Sequence, residues 1–407
     1  MQESAPASDK IVVALAFGWG ACTFFPVGIA YSCVLLMLAA LLLRSGLGRR
    51  LAGLRLAGIW WPVGVFLGWT ILVYLVGPGF PDSSTRVFHV MRVVLLIAMG
   101  LMLTPQEARA AITGYLAAAV LAALVVAVHH VWGLPAWDIW SSLLRSRNNF
   151  SSANMIMMAL AAAIFFFMAL RGDPKWLDRW TAGGAALALA TTVAAHALSR
   201  NAQVLLPVLA TLALLVHYRA WRASLLAGVM VVLMGGLAWQ FSTATQSRFI
   251  AVVEETRSVQ SQADYTTGVG ERYLMAREAW RGMLANPVMG TGVGSWLPHW
   301  RVIAAETGQQ LSPERLNRHI EINNPHNEYL LAGMETGIPG LIALAAMFAA
   351  FFWSAWQRHT LVGGIACLIS AGLAISATIN APLRDAAMGM TLLWLLGASM
   401  VAMREPP

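Results

Sequence analysis

The sequence predicts an all-α polytopic integral membrane protein: about twelve transmembrane helices and one large, partly helical extracytoplasmic insert. Three observations predict it. Of 407 residues, 58% are hydrophobic and only 11% charged, and the mean hydropathy is +0.65, far from the composition of a soluble domain. The apolar residues fall into runs of membrane-crossing length. The one long polar stretch is internal, from 243 to 325.

The apolar runs lie near residues 11 to 23, 26 to 44, 56 to 77, 86 to 104, 107 to 132, 151 to 170, 180 to 198, 203 to 218, 223 to 242, 338 to 356, 360 to 379 and 385 to 402. The first and eighth are short. Arg44, Arg49, Arg50 and Arg55 follow the second run, Arg171, Lys175 and Arg179 the sixth, Arg219 and Arg222 the eighth, and Arg358 the tenth. The positive-inside rule puts these loops, and both termini, in the cytoplasm. Three parts follow: an N-terminal transmembrane bundle of about nine helices over 1–242, an extracytoplasmic loop domain over 243–325, and a C-terminal half-helix with about three transmembrane helices over 326–407. No cleavable leader is expected ahead of the first run.

Cys22, Cys33 and Cys367 sit in apolar runs without paired spacing, so neither a disulfide framework nor a zinc site is expected. The net charge of +8 is spread over membrane loops with no nucleic-acid fold behind it. Membrane lipids and lipid-linked phosphates are the partners that suit it; nucleic acid is not.

The face opposite the cytoplasm should be poor in arginine, yet it carries Arg86, Arg145, Arg147, Arg200, Arg248, Arg257, Arg272, Arg277, Arg281, Arg301, Arg315, Arg318 and Arg384. Phosphate recognition by planar guanidinium forks is one reason to keep them there; solvation of a long translocated loop is the other. Arg200 occupies a very short loop, His196 to Ala202, near the lipid boundary, and Arg145 and Arg147 precede the sixth run. Over a helix from Gly270 to Leu284, Arg272 falls within an apolar arc of Tyr273, Ala276, Ala279, Trp280, Met283 and Leu284, whereas Arg277 and Arg281 point to the polar side. An arginine on a buried face needs an anion, from substrate or from a local glutamate.

The first part of the insert, Glu254 to Thr267, is polar and expected to be mobile. Gly290, Gly292 and Gly294 alternate without a preceding strand or a following Gly-Lys-Ser/Thr, which indicates a tight turn at the membrane surface rather than a phosphate loop. Trp296, His299 and Trp300 suit interfacial anchoring.

The insert ends in Asn323-Asn324-Pro325-His326-Asn327-Glu328. Asn324 suits an N-cap and Pro325 the first helical position, which would put His326 and Asn327 in the first turn, where orphan N–H groups favour an anion. Gly337 would end that segment after about three turns, too short to cross a bilayer, and Pro339 would open the next. A helix broken at this depth usually lines a cavity. No Asp-x-Asp pair exists to hold a divalent metal, so fixed arginines would stabilise a phosphate leaving group and no cofactor is expected. His326 suits a general base toward a hydroxyl; a hydrogen-bonding cap is the alternative.

His326-Asn327, nine residues, then Gly337-Ile338-Pro339-Gly340 resembles the signature of the bacterial O-antigen ligases, and the insert from Arg272 to Trp296 is similar to the wider superfamily of ligases, polymerases and protein O-oligosaccharyltransferases. The resemblance implies a metal-independent, GT-C-like membrane glycosyltransferase in the bacterial inner membrane, with its active site facing the periplasm. It would move a glycan from undecaprenyl diphosphate to the lipid A core, with inversion. On that pattern Arg147, Arg200 and Arg272, with Arg145 nearby, hold the diphosphate. His326 activates or orients the acceptor hydroxyl beside Asn327, and Asp385 orients His326 or binds sugar. A polymerase or protein-modifying relative, and a flippase of lipid-linked sugars, are the competing readings.

Overall fold

A computed structural model describes residues 7–43, 47–54, 57–134, 149–173, 176–196, 200–223, 225, 227–229, 231–232, 243–262, 264–309 and 311–404. Among them there is no strand. The helices are α1 (Ala7–Ala21), α2 (Val27–Leu43), α3 (Leu47–Gly53), α4 (Ala57–Val76), α5 (Ser83–Leu101), α6 (Pro105–Trp132), α7 (Asn149–Arg171), α8 (Arg179–His196) and α9 (Arg200–Tyr218). Then come α10 (Thr243–Gln262), α11 (Gly268–Ala285), α12 (Trp296–Thr307), α13 (Pro313–Ile320), α14 (Glu328–Trp356), α15 (Leu361–Ile379) and α16 (Ala386–Ala402).

Seven described helices are long and apolar enough to cross a membrane, namely α4, α5, α6, α7, α9, α14 and α15, and three shorter apolar helices lie at Lys10–Phe24, Val27–Leu43 and Ala386–Ala402. The run at 180 to 198 forms α8; most of the run at 223 to 242 falls outside the described residues. The last helix is the axis of the bundle, buried from Ala387 to Ala402. Around it α7 and α15 are also largely buried, while α2 and α4 present Leu35, Leu36, Trp61 and Leu75 outward. Apolar residues on both the inner and outer faces are what a bilayer solvates.

Close helix approach uses small residues. Gly100 of α5 faces the backbone of Trp394 and Gly397 on α16, and Gly20 of α1 faces Ala111 on α6, leaving no space for a Cβ in either case. Cys33 Sγ lies 2.8 Å from Cys22 Sγ, a proximity that their spacing in sequence does not announce.

The insert is a packed unit. Leu274, Met275 and Ala279 of α11, Trp296, Trp300 and Ala304 of α12, and Leu331 and Met334 of α14 form its core. Two expectations are corrected here. Trp296 and Trp300 are not interfacial anchors: both are fully buried, stacked at 5.5 Å, with their indole N–H groups donated to Ile322 O and His319 O. Pairing both indole donors inside removes the reason a tryptophan seeks the lipid boundary. The polar stretch from Glu254 is not an open segment but continues α10 to Gln262, and Glu255 accepts the Val269 N–H at 2.9 Å, tying α10 to α11.

Candidate active site

The stretch before α14 folds differently from its sequence pattern. Asn327, not Asn324, is the N-cap: its backbone is extended, and its side-chain oxygen accepts the Leu330 N–H at 2.9 Å. Asn324 instead accepts the His326 N–H at 2.9 Å, closing a side-chain turn over Pro325. His326 therefore lies outside the helix rather than in its first turn. Its φ is 51°, the left-handed region that a histidine adopts only when its surroundings hold it there. The holding contacts are visible. Asn327 Nδ2 donates to Thr378 O at 3.0 Å, Glu328 N donates to Asn380 O at 3.2 Å, and the His326 side chain bonds that of Asn380. Both polar ends of the Asn327 amide are thus engaged, so this residue fixes the loop.

The helix that follows is broken as expected. Gly337 has φ 72° and ψ −176° inside α14, and a Cβ there would collide with the Val288 carbonyl. The break frees backbone groups, and the glycine turn of the insert takes them up. Met334 O accepts from Thr291 N at 2.7 Å and from Thr291 Oγ1 at 3.0 Å. Ile338 N donates to Pro287 O at 2.8 Å, and Trp69 Nε1 donates to Thr336 O at 2.7 Å. Gly290, Gly292 and Gly294 all have positive φ, and Gly290 packs against the Met334 carbonyl and the Gly337 amide. The turn therefore plugs a broken membrane helix instead of lying on a surface.

Arg272 reaches the same end of the bundle by another route. The buried face of α11 is Gly270, Leu274, Met275, Glu278, Ala279, Gly282 and Met283, so the apolar arc drawn through Tyr273, Trp280 and Leu284 is the wrong one: those three are half exposed. Small and flexible side chains fill the contact with α14, where Gly282 meets Met334 and Gly333 meets Met283. Arg272 is consequently exposed rather than buried, and its Nη1 donates to Asn201 Oδ1 at 3.3 Å. Asn201 Nδ2 in turn donates to Ile379 O at 3.3 Å, the residue before Asn380. One side of the His326 loop is thereby built from α9, α11 and the end of α15. Arg277 and Arg281 both pair with Glu278 on the buried face: Arg281 stays largely exposed, but Arg277 is partly covered beneath Tyr265 rather than turned to the polar side.

Burial is the main cause that lowers the His326 pKa from its ordinary value, and the charge of Arg272 adds to it; the Asn380 hydrogen bond and Glu271 work in the opposite direction. The imidazole is therefore neutral at neutral pH and able to accept a proton. Glu271 also meets His319, Oε1 to Nδ1, at 2.6 Å.

Arg200 begins α9 beside Asn201, while Arg145 and Arg147 lie outside the described residues. Asp385 caps α16, its carboxylate accepting the Met388 N–H at 2.9 Å. The side-chain partner of the His326 ring is Asn380.

A buried charged cluster under the loop escaped the sequence reading. Arg86 Nε lies 2.9 Å from Glu335 Oε1, Glu328 accepts the Leu383 N–H at 3.0 Å, and these groups line a small cavity with His89, Thr336 and Arg384. One signal was available: Glu328 and Glu335 are seven apart, two turns along one face of a short helix.

No curated protein matches the chain. The O-antigen ligase family model matches residues 185–345, a segment that contains Asn201, Arg272, His326 and the Gly337 break. Over that segment, about two fifths of the chain, the protein is similar to the O-antigen ligase family.

Proposed function

We propose that the protein transfers a glycan from undecaprenyl diphosphate to a sugar hydroxyl of the lipid A core, at the periplasmic face of the bacterial inner membrane and without metal. The observation that carries this reading is a half-buried His326 held in a left-handed turn near Arg272, within the segment that matches the family. His326 takes the acceptor hydroxyl proton as that oxygen attacks the anomeric carbon. The bond from that carbon to the diphosphate oxygen breaks, and the pair of electrons leaves with the diphosphate. Arg272, with Arg200, Arg147 and Arg145, stabilises the charge that develops there. Attack opposite the leaving group inverts the anomeric centre. In this reading arginine is the cation of the reaction. Twelve spans around this centre remain the expected architecture.

The test is reconstitution of purified protein with undecaprenyl-diphosphate glycan and lipid A core, with and without EDTA. Glycosylated core is the expected product in both. Extension of the lipid-linked glycan by itself would mean a polymerase. Movement of the donor across vesicles without product would mean a flippase, and loss with EDTA would overturn the metal-free step.

A further inference from the structure

We infer that Arg86 is a positioning residue that sets His326 for proton transfer, acting through the Asn323 carbonyl. The inference rests on the proposed role of His326. Arg86 lies in the first turn of α5 and is only 4% exposed. Its Nη2 donates to Asn323 O at 3.3 Å, three residues before His326, while its Nε faces Glu335 at 2.9 Å. Arg384 donates to the same Asn323 carbonyl. Two guanidinium groups thus grip one peptide oxygen of the loop.

Glu335 fixes the other side of Arg86. It sits in the short half of α14, 6% exposed, and its carboxylate accepts the backbone N–H groups of Gly294 and Trp296, where α12 begins. The contacts therefore run from the glycine turn of the insert, through Glu335 and Arg86, to the loop that carries the histidine. A buried ion pair is a poor source of stability, because desolvation offsets most of the attraction. What a rigid fork adds is geometry: one edge of the guanidinium is set by a carboxylate while another holds a carbonyl. Lysine, a single point donor, keeps the charge and loses that simultaneous hold. A left-handed histidine needs such over-determination, since relaxation of the loop toward ordinary φ would swing the ring away from Asn380 and Arg272.

The experiment compares Arg86→Lys, His326→Ala and the double variant in the reconstituted transfer assay, with kcat and donor KM measured separately and the thermal midpoint followed in detergent. Expected for Arg86→Lys is a fall in kcat of about 10- to 100-fold, the size of a small misplacement at a reacting group, with donor KM within about two-fold of wild type. In the His326→Ala background the same substitution should remove nothing more, because it acts only through the missing ring. Unchanged kcat in Arg86→Lys overturns the inference. So does a loss that multiplies with that of His326→Ala, the pattern of a residue that merely supports the fold. Should Arg86→Lys not accumulate in membranes, Glu335→Gln is read by the same two criteria. If His326→Ala itself keeps full activity, the proposed role of His326 fails and this inference with it, whereas a loss in His326→Ala beside an unchanged Arg86→Lys overturns this inference alone.

Discussion

Arg272 and Arg86 flank the same short loop and are used in opposite ways. Arg272 stands exposed on an amphipathic helix of the insert, steadied by the side chain of Asn201. Arg86 is enclosed within the bundle, set between the Glu335 carboxylate and a backbone carbonyl. An accessible guanidinium keeps most of its hydration until an anion arrives, so it is suited to meet a charged substrate. An enclosed one must have its partners built in, so it is suited to hold structure. The histidine between them gains its electrostatic setting from the first and its geometry from the second.

That contrast can be broken or sharpened by substitution. The largest effect is expected from His326→Ala, a loss of glycan transfer of about 10²- to 10⁴-fold, the usual range for removing a general base; normal membrane insertion, checked by protease accessibility, separates chemistry from folding. Arg272→Ala follows at about 10²- to 10³-fold in kcat, as for the loss of one group stabilising a developing anion. If full-length lipopolysaccharide persists in cells carrying either variant, the site assignment is wrong.

A pH profile tests the coupling between Arg272 and His326. A base works when neutral, so the rate falls as pH drops through its pKa; burial and Arg272 lower that pKa, which places the acid limb below the ordinary histidine range. Arg272→Gln removes the neighbouring charge, and the acid limb of the residual activity should move to higher pH. An unmoved limb would show that His326 does not feel Arg272.

Smaller effects are expected on stability. Gly337→Ala places a Cβ at φ 72°, against the Val288 carbonyl, and should lower unfolding free energy by about 1–3 kcal/mol, read as a drop in thermal midpoint in detergent. Asp385→Ala removes the cap on Met388 N and should lower it by about 0.5–2 kcal/mol. Activity lost in Asp385→Ala far beyond that destabilisation would return Asp385 to a direct role.

Much of the bundle was legible, because a run of apolar residues long enough for a bilayer permits only one way to satisfy its backbone. The break at Gly337 was legible for a related reason: Gly-x-Pro interrupts a helix locally. The face of α11 was misread, since one face of Tyr273, Trp280 and Leu284 is as apolar as another of Leu274, Met275 and Met283, and only the neighbour decides which is covered. Asn324 and Asn327 are equally good caps in isolation; the carbonyl of Thr378 selects Asn327 by engaging its amide.

The sequence by itself therefore determined a helical membrane protein with a broken helix behind a histidine, and set arginines on the face opposite the cytoplasm. Tertiary structure decided which arginine is exposed and which is buried, that Asn380 meets the histidine, and that the glycine turn fills the break. Periodicity and capping act over a few residues, whereas Arg86 and Glu335, Trp69 and Thr336, or Arg272 and Asn201 are far apart in the chain and meet only when the helices pack.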